Sequence, residues 1–250
     1  MKEITGHTQL TGLLGSPVAH SISPQMHNEA FRQLNLDYIY LAFDVKADSL
    51  CKAVDGLISL NVRGFNVTMP HKKEVALLCD KLSPTSRLTG SVNTVVNENG
   101  MLIGHTTDGV GYYRALREEG HNLAGKKMTL LGTGGAATVI LAQGAIDGVS
   151  EISVFNRKGA SYERAEQFID KLNACTSCKI ALYDIEDTAI LKREIMESTI
   201  LTNATSVGMA PNTEASVITD PSLLHKDLIV SDIIYNPRET QLMKLAKEIG

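Results

Sequence analysis

A short apolar strand that runs into a glycine turn and then a helix restricts this chain more than any other stretch. Met128 to Leu131 is apolar and long enough for one buried strand. It ends in Gly132, Thr133, Gly134, Gly135, Ala136 and Ala137, and Ala136 to Gly144 reads as a helix with small residues on its strand-facing side. Strand, glycine turn and helix in that order form the phosphate-binding corner of a dinucleotide fold. Gly132 permits the turn, and Gly134 lets the backbone approach a pyrophosphate. Gly135 and Ala136 join the cofactor-binding set there, and Ala137 takes the small position where helix and strand pack. Unpaired N–H groups and the helix dipole favour the phosphate charge at such a start. The glycine run alone is weak evidence, but Glu151–Phe155 reads as a second strand with Asn156, Arg157 and Lys158 at its end, where adenosine ribose is read. An acidic residue there would read a ribose 2′-hydroxyl, whereas basic ones suit a 2′-phosphate. The expected cofactor is therefore NADP, with NAD left open. Arg157 and Lys158 also fit a solvated surface pair.

The rest of the composition limits the alternatives. With 250 residues, 43% of them hydrophobic, the chain can build two modest α/β domains. A net charge of −4 gives no electrostatic reason to expect nucleic acid. No apolar run approaches membrane-spanning length, and the start lacks a secretory apolar core, so a cytoplasmic location is expected. The four cysteines fit that setting as reduced thiols. Cys175 and Cys178 have Cys-x-x-Cys spacing, but no second ligand pair accompanies them. His20, His27 and His71 lack paired spacing, so no metal site is expected.

Taken in order, Gln9–Leu14 is a first strand leading to Ser21, Ser23 and Pro24, with Ser23 as N-cap of the next helix. Tyr38–Val45 is a second strand, and Asp48 caps a helix carrying Leu50, Val54, Leu57 and Ile58 on one face. A third strand, Val62–Val67, leads into Thr68, Met69, Pro70, His71 and Lys72, and a helix is expected from there to about Asp80. Asn99-Gly100 signals a hairpin between Ser91–Val96 and Met101–Ile103, giving an antiparallel edge. Asp108–Glu119 reads as a linking helix, and Lys126 starts the second domain. Later helices are expected near Ser161–Leu172, Thr188–Met196 and from Arg238, with strands near Lys179–Tyr183, Thr199–Thr202 and Leu228–Ile233. The fold class is α/β in two domains. Residues 1–107 form a mostly parallel α/β domain, and residues 108–250 form the linking helix and a Rossmann-type dinucleotide-binding domain, the two sharing a cleft.

The motifs lie far apart along the chain. They are Ser16, His20, Ser21, Ser23, Pro24, His27 and Asn28; Asn66, Thr68, Pro70, His71 and Lys72; Gly90, Asn93 and Thr94; and Thr107, Asp108 and Gly109. Beyond the glycine turn and Asn156-Arg157 come Asn203, Thr205, Gly208 and Met209, then Tyr235, Asn236 and Pro237. In order and number they resemble the shikimate dehydrogenase family, most like its quinate/shikimate dehydrogenase branch, along nearly the whole chain. The resemblance implies reversible hydride transfer between NADP(H) and the ring alcohol or ketone of shikimate and 3-dehydroshikimate, with quinate as a further substrate. Ser21 and Ser23 would hydrogen-bond the substrate carboxylate, and Tyr235 would lie near it. Asn66, Thr68, Asn93 and Asp108 would bind ring hydroxyls, with Lys72 and Asp108 at the reacting oxygen. Thr205 joins the cofactor-binding set. The implied partner is a small molecule, not nucleic acid or membrane, with homodimer assembly left open. Relatives continue past the position of Gly250 into a helical segment that folds back on the first domain and carries a substrate-touching glutamine.

Residue chemistry supports these roles. An ammonium at Lys72 can stabilise a developing alkoxide and supply its proton, and the free amine can accept one in reverse. Neutral Ser, Thr and Asn groups suit a polyhydroxylated acid. Plainer readings stand beside them: Ser23 and Asp108 as helix caps, Asn203 and Thr205 as turn residues. Two other functions share the fold: a non-catalytic NADP-binding sensor, and another cyclic or folate-type dehydrogenase. The intact Lys72 and Asp108 motifs disfavour the first, and Ser21 and Ser23 the second.

Overall fold

In the computed structural model, which describes residues 3–250, the chain divides between Thr107 and Asp108 into two units. The first contains strands β1 (Gln9–Gly15), β2 (Tyr38–Asp44), β3 (Gly64–Val67), β4 (Lys81–Leu82), β5 (Thr94–Glu98) and β6 (Met101–His105). They form one sheet in the order β2-β1-β3-β5-β6-β4. The β1–β2, β1–β3 and β4–β6 pairs are parallel, and β3–β5 and β5–β6 are antiparallel. Helices α1 (Ser23–Gln33), α2 (Leu50–Ser59) and α3 (Pro84–Thr89) complete the unit. The apolar stripe of α2 buries Leu50, Val54 and Leu57 with Leu14, Phe65, Val67 and Val95 of the sheet, as its three- and four-residue spacing requires.

Four local expectations are corrected. The hairpin forms with φ of 55° at Asn99 and 92° at Gly100, but the sheet does not end there, because β4 adds parallel to β6. Only a 3₁₀ turn, Val75–Leu78, follows Lys72 instead of a longer helix. Burial of the His71 ring, whose Nε2 lies 2.7 Å from the Val45 carbonyl, anchors the stretch as a tight loop. Asp48 does not cap α2; it lies in a short 3₁₀ turn and accepts the Ser49 hydroxyl at 3.0 Å. Ser23 is not the cap, because the helix starts one residue earlier than expected, with Ile22 at the cap position and no side-chain cap bond; the Ser21 Oγ accepts the Ser23 N–H at 3.2 Å.

The second unit is a purely parallel sheet. Its strands are β7 (Lys127–Leu131), β8 (Glu151–Asn156), β9 (Lys179–Asp184), β10 (Ile200–Asn203) and β11 (Ile229–Asp232), in the order β11-β10-β7-β8-β9. Helices α4 (Asp108–Glu118), α5 (Gly135–Ile146), α6 (Ala160–Cys175), α7 (Thr188–Glu197) and α8 (Gln241–Ile249) connect and flank it. The closing helix starts later than Arg238 because Thr240 is its cap, accepting the Met243 N–H. Four of five β7 residues are buried, as a strand covered on both faces must be. From β7 the chain builds outward through β8 and β9, then returns to the other side of β7 for β10. That reversal leaves a crevice at the strand ends, where open α/β sheets bind ligands.

At the opposite end of these strands Lys127 ties the unit together. Its Nζ lies 2.6 Å from Glu194, 2.7 Å from Glu151 and 2.7 Å from Glu197. Glu194, only 4% exposed at its side chain, is also held by Arg193 at 2.6 Å and Ser153 at 2.7 Å. Burial pushes the Glu194 carboxyl up, but hydrogen bonds from Lys127, Ser153 and Arg193 outweigh it and hold the group down to about 2. A depressed carboxyl stabilises the fold above its unfolded value near 4.5 and loses that contribution as pH falls towards 2. Lys127→Met should therefore cost about 1.5–3 kcal/mol at neutral pH, the range for losing a hydrogen bond to a charged group, since Arg193 and Ser153 still hold Glu194, as read by urea denaturation. Glu194→Gln should flatten the loss of stability between those two pH values. An unchanged acid profile would exclude Glu194 as its source.

Candidate functional site

In the first unit, polar side chains gather where β1 and β3 end and β5 begins. Backbone bonds from Thr68 N to Leu14 O (2.9 Å) and from Ser16 N to Met69 O (3.0 Å) stitch together the loops after β1 and β3. Val92 N donates to Lys72 O and Val67 N to Asn93 O, both at 2.8 Å, adding the segment before β5. The loops carrying Ser21 and Ser23, Thr68 and Lys72, and Asn93 are thereby brought to one end of one sheet. Asn93 is buried, while Ser21, Ser23, Asn66, Thr68 and Lys72 are half-buried.

Asn66 is oriented by its neighbours. Its Oδ1 accepts the Tyr40 hydroxyl at 2.8 Å, so its Nδ2 must face Thr94 Oγ1 (2.9 Å) and Asn93 O (3.3 Å). Asn93 Oδ1 in turn accepts from Thr94 Oγ1 at 3.0 Å and from the Thr107 N–H at 3.0 Å. Tyr40 is itself fixed: His27 stacks on its ring at 4.3 Å, and Asn28 bonds its backbone N–H and carbonyl, both at 2.9 Å. Burial pushes the Tyr40 hydroxyl up and the His27 imidazole down, so Tyr40 remains a neutral donor. Sequence reasoning missed Tyr40, because its alternation on β2 reads only as core. Its partner Asn66 supplied the available signal, as a half-buried amide between strands needs an orienting donor.

In the second unit a cavity of about 920 Å³ opens at the strand ends. Gly132, Gly134, Gly135 and Ala136 line one wall, Asn156 and Arg157 a second, and Thr205 and Tyr235 a third. Gly132 has φ of 102°, and a Cβ there would sit 2.9 Å from both the Ala204 carbonyl oxygen and the Thr205 methyl. At Gly134 and Gly135 a Cβ would meet nothing within 4 Å. That space lies against the exposed start of α5, whose first N–H groups lack helical partners. Turn, open glycine wall and helix start fit a pyrophosphate, and a basic residue beside β8 fits an adenosine phosphate.

Two placements refine the sequence reading. Lys158 does not line the cavity; its Nζ lies 4.0 Å from Asp184 on the neighbouring strand, leaving Arg157 as the basic wall residue. Tyr235 is 87% exposed at the cavity rim. Thr205 is held by Asn203, whose Oδ1 accepts from the Thr205 hydroxyl at 2.7 Å and from its N–H at 3.1 Å. Asp108 opens α4 and is exposed, and Gly109 beside it has no room for a Cβ against the Val139 carbonyl. Among the described residues, no three His, Cys, Asp or Glu side chains cluster as a metal site would require. No helix among them is long and apolar enough to cross a membrane.

This chain is similar to known proteins along its whole length. Residues 13–95 match the family model of the shikimate dehydrogenase substrate binding domain. A shikimate dehydrogenase (NADP(+)) of Listeria monocytogenes serotype 4b is 53% identical, over all of this chain and 86% of the relative. The crystal structure of shikimate 5-dehydrogenase from Listeria monocytogenes in complex with shikimate and NAD superposes with a TM-score of 0.97. It is 52% identical, covering 100% of this chain and 86% of that one. Quinate dehydrogenase from Corynebacterium glutamicum in complex with NAD has a TM-score of 0.83 at 29% identity, covering 97% and 86%. With that degree of identity over its whole length, the chain belongs to the shikimate dehydrogenase family.

Proposed function

We propose that this protein catalyses reversible hydride transfer between NADP(H) and the ring oxygen-bearing carbon of shikimate and 3-dehydroshikimate. The observation that carries this reading is the polar set at the ends of β1 and β3. Neutral Ser, Thr and Asn groups there are matched in kind to a polyhydroxylated ring, and Lys72 stands among them. Bound cofactor supplies the hydride and takes it back. The chain's own residues must place the ring, exclude misoriented binding and move one proton. Ser21 and Ser23 hold the carboxylate by hydrogen bonding. Asn66, Thr68 and Asn93 hold the ring hydroxyls. As hydride reaches the carbonyl carbon, charge develops on its oxygen, and the Lys72 ammonium stabilises that charge and delivers a proton to the oxygen. Asp108, next in the chain to the Asn93-bound Thr107, holds the same reacting group. In the cofactor cavity, Gly132, Gly134, Gly135 and Ala136 hold the pyrophosphate. Asn156 and Arg157 hold the adenosine side, with Lys158 beside them but turned to Asp184, and Thr205 takes the other end. Quinate as a second substrate and NAD as a second cofactor belong to the same reading, as does a cytosolic setting that keeps the four thiols free. Absorbance at the nicotinamide band with shikimate and quinate, each against both cofactors, tests it. Absence of turnover in all four combinations would overturn it.

The parts separate experimentally. Arg157→Ala should narrow the preference for NADP over NAD by about 1–3 kcal/mol, the range of a charge-assisted contact. Equal affinities in the unmutated protein would remove the 2′-phosphate reading. Lys72→Met keeps most of the side-chain volume and removes the donor, so single-turnover hydride transfer should slow by roughly 10²–10⁴. Shikimate affinity should change far less, because the hydrogen-bonding set remains. Tyr40→Phe frees the Asn66 amide to turn over and should weaken shikimate binding by about 1 kcal/mol, with NADP binding unchanged. Equal loss of both ligands would mark Tyr40 as a general core residue.

A further inference from the structure

The ends of β10 and β11 are joined by a carboxylate to which no part of the reading above gives a role. Asp232 closes β11 directly beside Asn203, the last residue of β10. Its Oδ1 accepts the Ile234 N–H at 3.0 Å. Its Oδ2 accepts the Thr240 hydroxyl at 2.8 Å and Asn203 Nδ2 at 3.1 Å. Asn203 and Thr240 are each 1% exposed. One side chain therefore gathers the end of β10, the loop after β11 and the cap of α8.

The bonds have a direction. A carboxylate only accepts, so the Asn203 amide must turn its NH₂ to Asp232 and its oxygen to Thr205. That oxygen takes the Thr205 N–H and hydroxyl. The Thr205 hydroxyl, having given its proton to Asn203, accepts the Val207 N–H at 3.1 Å. Ala210 N donates to Asn236 O at 3.1 Å and ties the same two loops further out. Both loops line the cavity on the side of β10 and β11, away from Arg157 beside β8. A dinucleotide spans such a crevice with its pyrophosphate at the glycine turn. With adenosine towards Arg157, the β10–β11 side takes the nicotinamide.

Resting on the NADP reading above, we infer that Asp232 is a positioning residue for the nicotinamide half of the cavity, acting through the Asn203 amide on Thr205 and its loop. Replacing it by asparagine at constant shape removes one of its two acceptor atoms. The new NH₂ faces either Asn203, so that this bond is lost or Asn203 turns over towards the Thr205 N–H, or, with the amide reversed, the Ile234 N–H of the cavity-lining loop after β11. The disturbance runs towards Thr205, Val207 and Ile234, and the glycine turn and Arg157 are not part of it.

The test uses the full chain with Asp232→Asn and two ligands, NADPH followed by its fluorescence and 2′,5′-ADP followed by calorimetry. The second ligand carries only the adenosine half. NADPH affinity should fall at least fivefold and single-turnover hydride transfer at least tenfold, with 2′,5′-ADP affinity held within twofold. Thr240→Val should reproduce the split in milder form and Thr240→Ser should restore it, which keeps the test valid if the asparagine variant folds poorly. Unchanged NADPH binding, or equal weakening of both ligands, would overturn the inference. An unmutated protein that binds no NADPH would remove the cofactor reading, and this inference with it.

Discussion

The cavity of the second unit depends on a Cβ that is not there. Gly132 leaves β7 with its N–H donated to the Phe155 carbonyl at the end of β8, at 2.8 Å. On its other side lies the turn after β10, close enough that any side chain would strike the Ala204 carbonyl. The φ of 102° adds a backbone conformation that residues with a Cβ rarely adopt. Three strand ends can therefore close around one point, and α5 can begin immediately beyond it with its N–H groups facing open space. Push the β10 loop away and the crevice loses its third wall. The wall, the helix start and the basic side are consequences of one close backbone approach.

Both units then solve the same problem at their strand ends. An asparagine at a binding site is useful for recognition only if its two faces are told apart, since the amide can turn over at little steric cost. In the first unit a donor does this: the Tyr40 hydroxyl selects the oxygen of Asn66. In the second an acceptor does it, with Asp232 selecting the NH₂ of Asn203. Each choice passes to the next group, to Thr94 and Asn93 in one case and to Thr205 and Val207 in the other. These contacts fix which donors and acceptors face outward before a ligand arrives, and that pre-orientation lowers the cost of binding.

Most of the strands and the glycine turn were legible in the sequence because their signals are local. The apolar run from Met128 to Leu131, the small residues after it, and the Asn99-Gly100 hairpin each act within a few residues. What sequence reasoning missed depends on contacts between distant segments. The stretch after Lys72 has helical composition, yet the buried His71 ring, held at the Val45 carbonyl, keeps it a loop. The two residues of β4 form a strand only because β6 offers an unpaired edge. Ser23 before Pro24 has the sequence of a cap, but the helix begins one residue earlier and Ser23 is already its first residue. The motif residues were readable as a set, whereas Tyr40 and Asp232, which orient two of them, were not. Tyrosine in a strand and aspartate at the end of one are common, and only the pairing of β1 with both β2 and β3, and of β10 with β11, gives them partners.

Charge at the adenosine side shows the same limit. Counted along the chain, Arg157 and Lys158 offer two positive groups, but strand register sets Asn156 beside Asp184, and Lys158 leans towards that carboxylate. The pair is 4.0 Å apart and the lysine is 74% exposed, so solvent screens it and its worth is about 0–1 kcal/mol. A charge-assisted hydrogen bond to a phosphate oxygen is worth about 1.5–3 kcal/mol. The flexible lysine would therefore leave Asp184 for a 2′-phosphate at little cost, whereas a ribose hydroxyl, offering no charge, would not draw it away. Asp184 thus sets Lys158 aside until a ligand with sufficient charge arrives, and the local field of the cavity rests on Arg157.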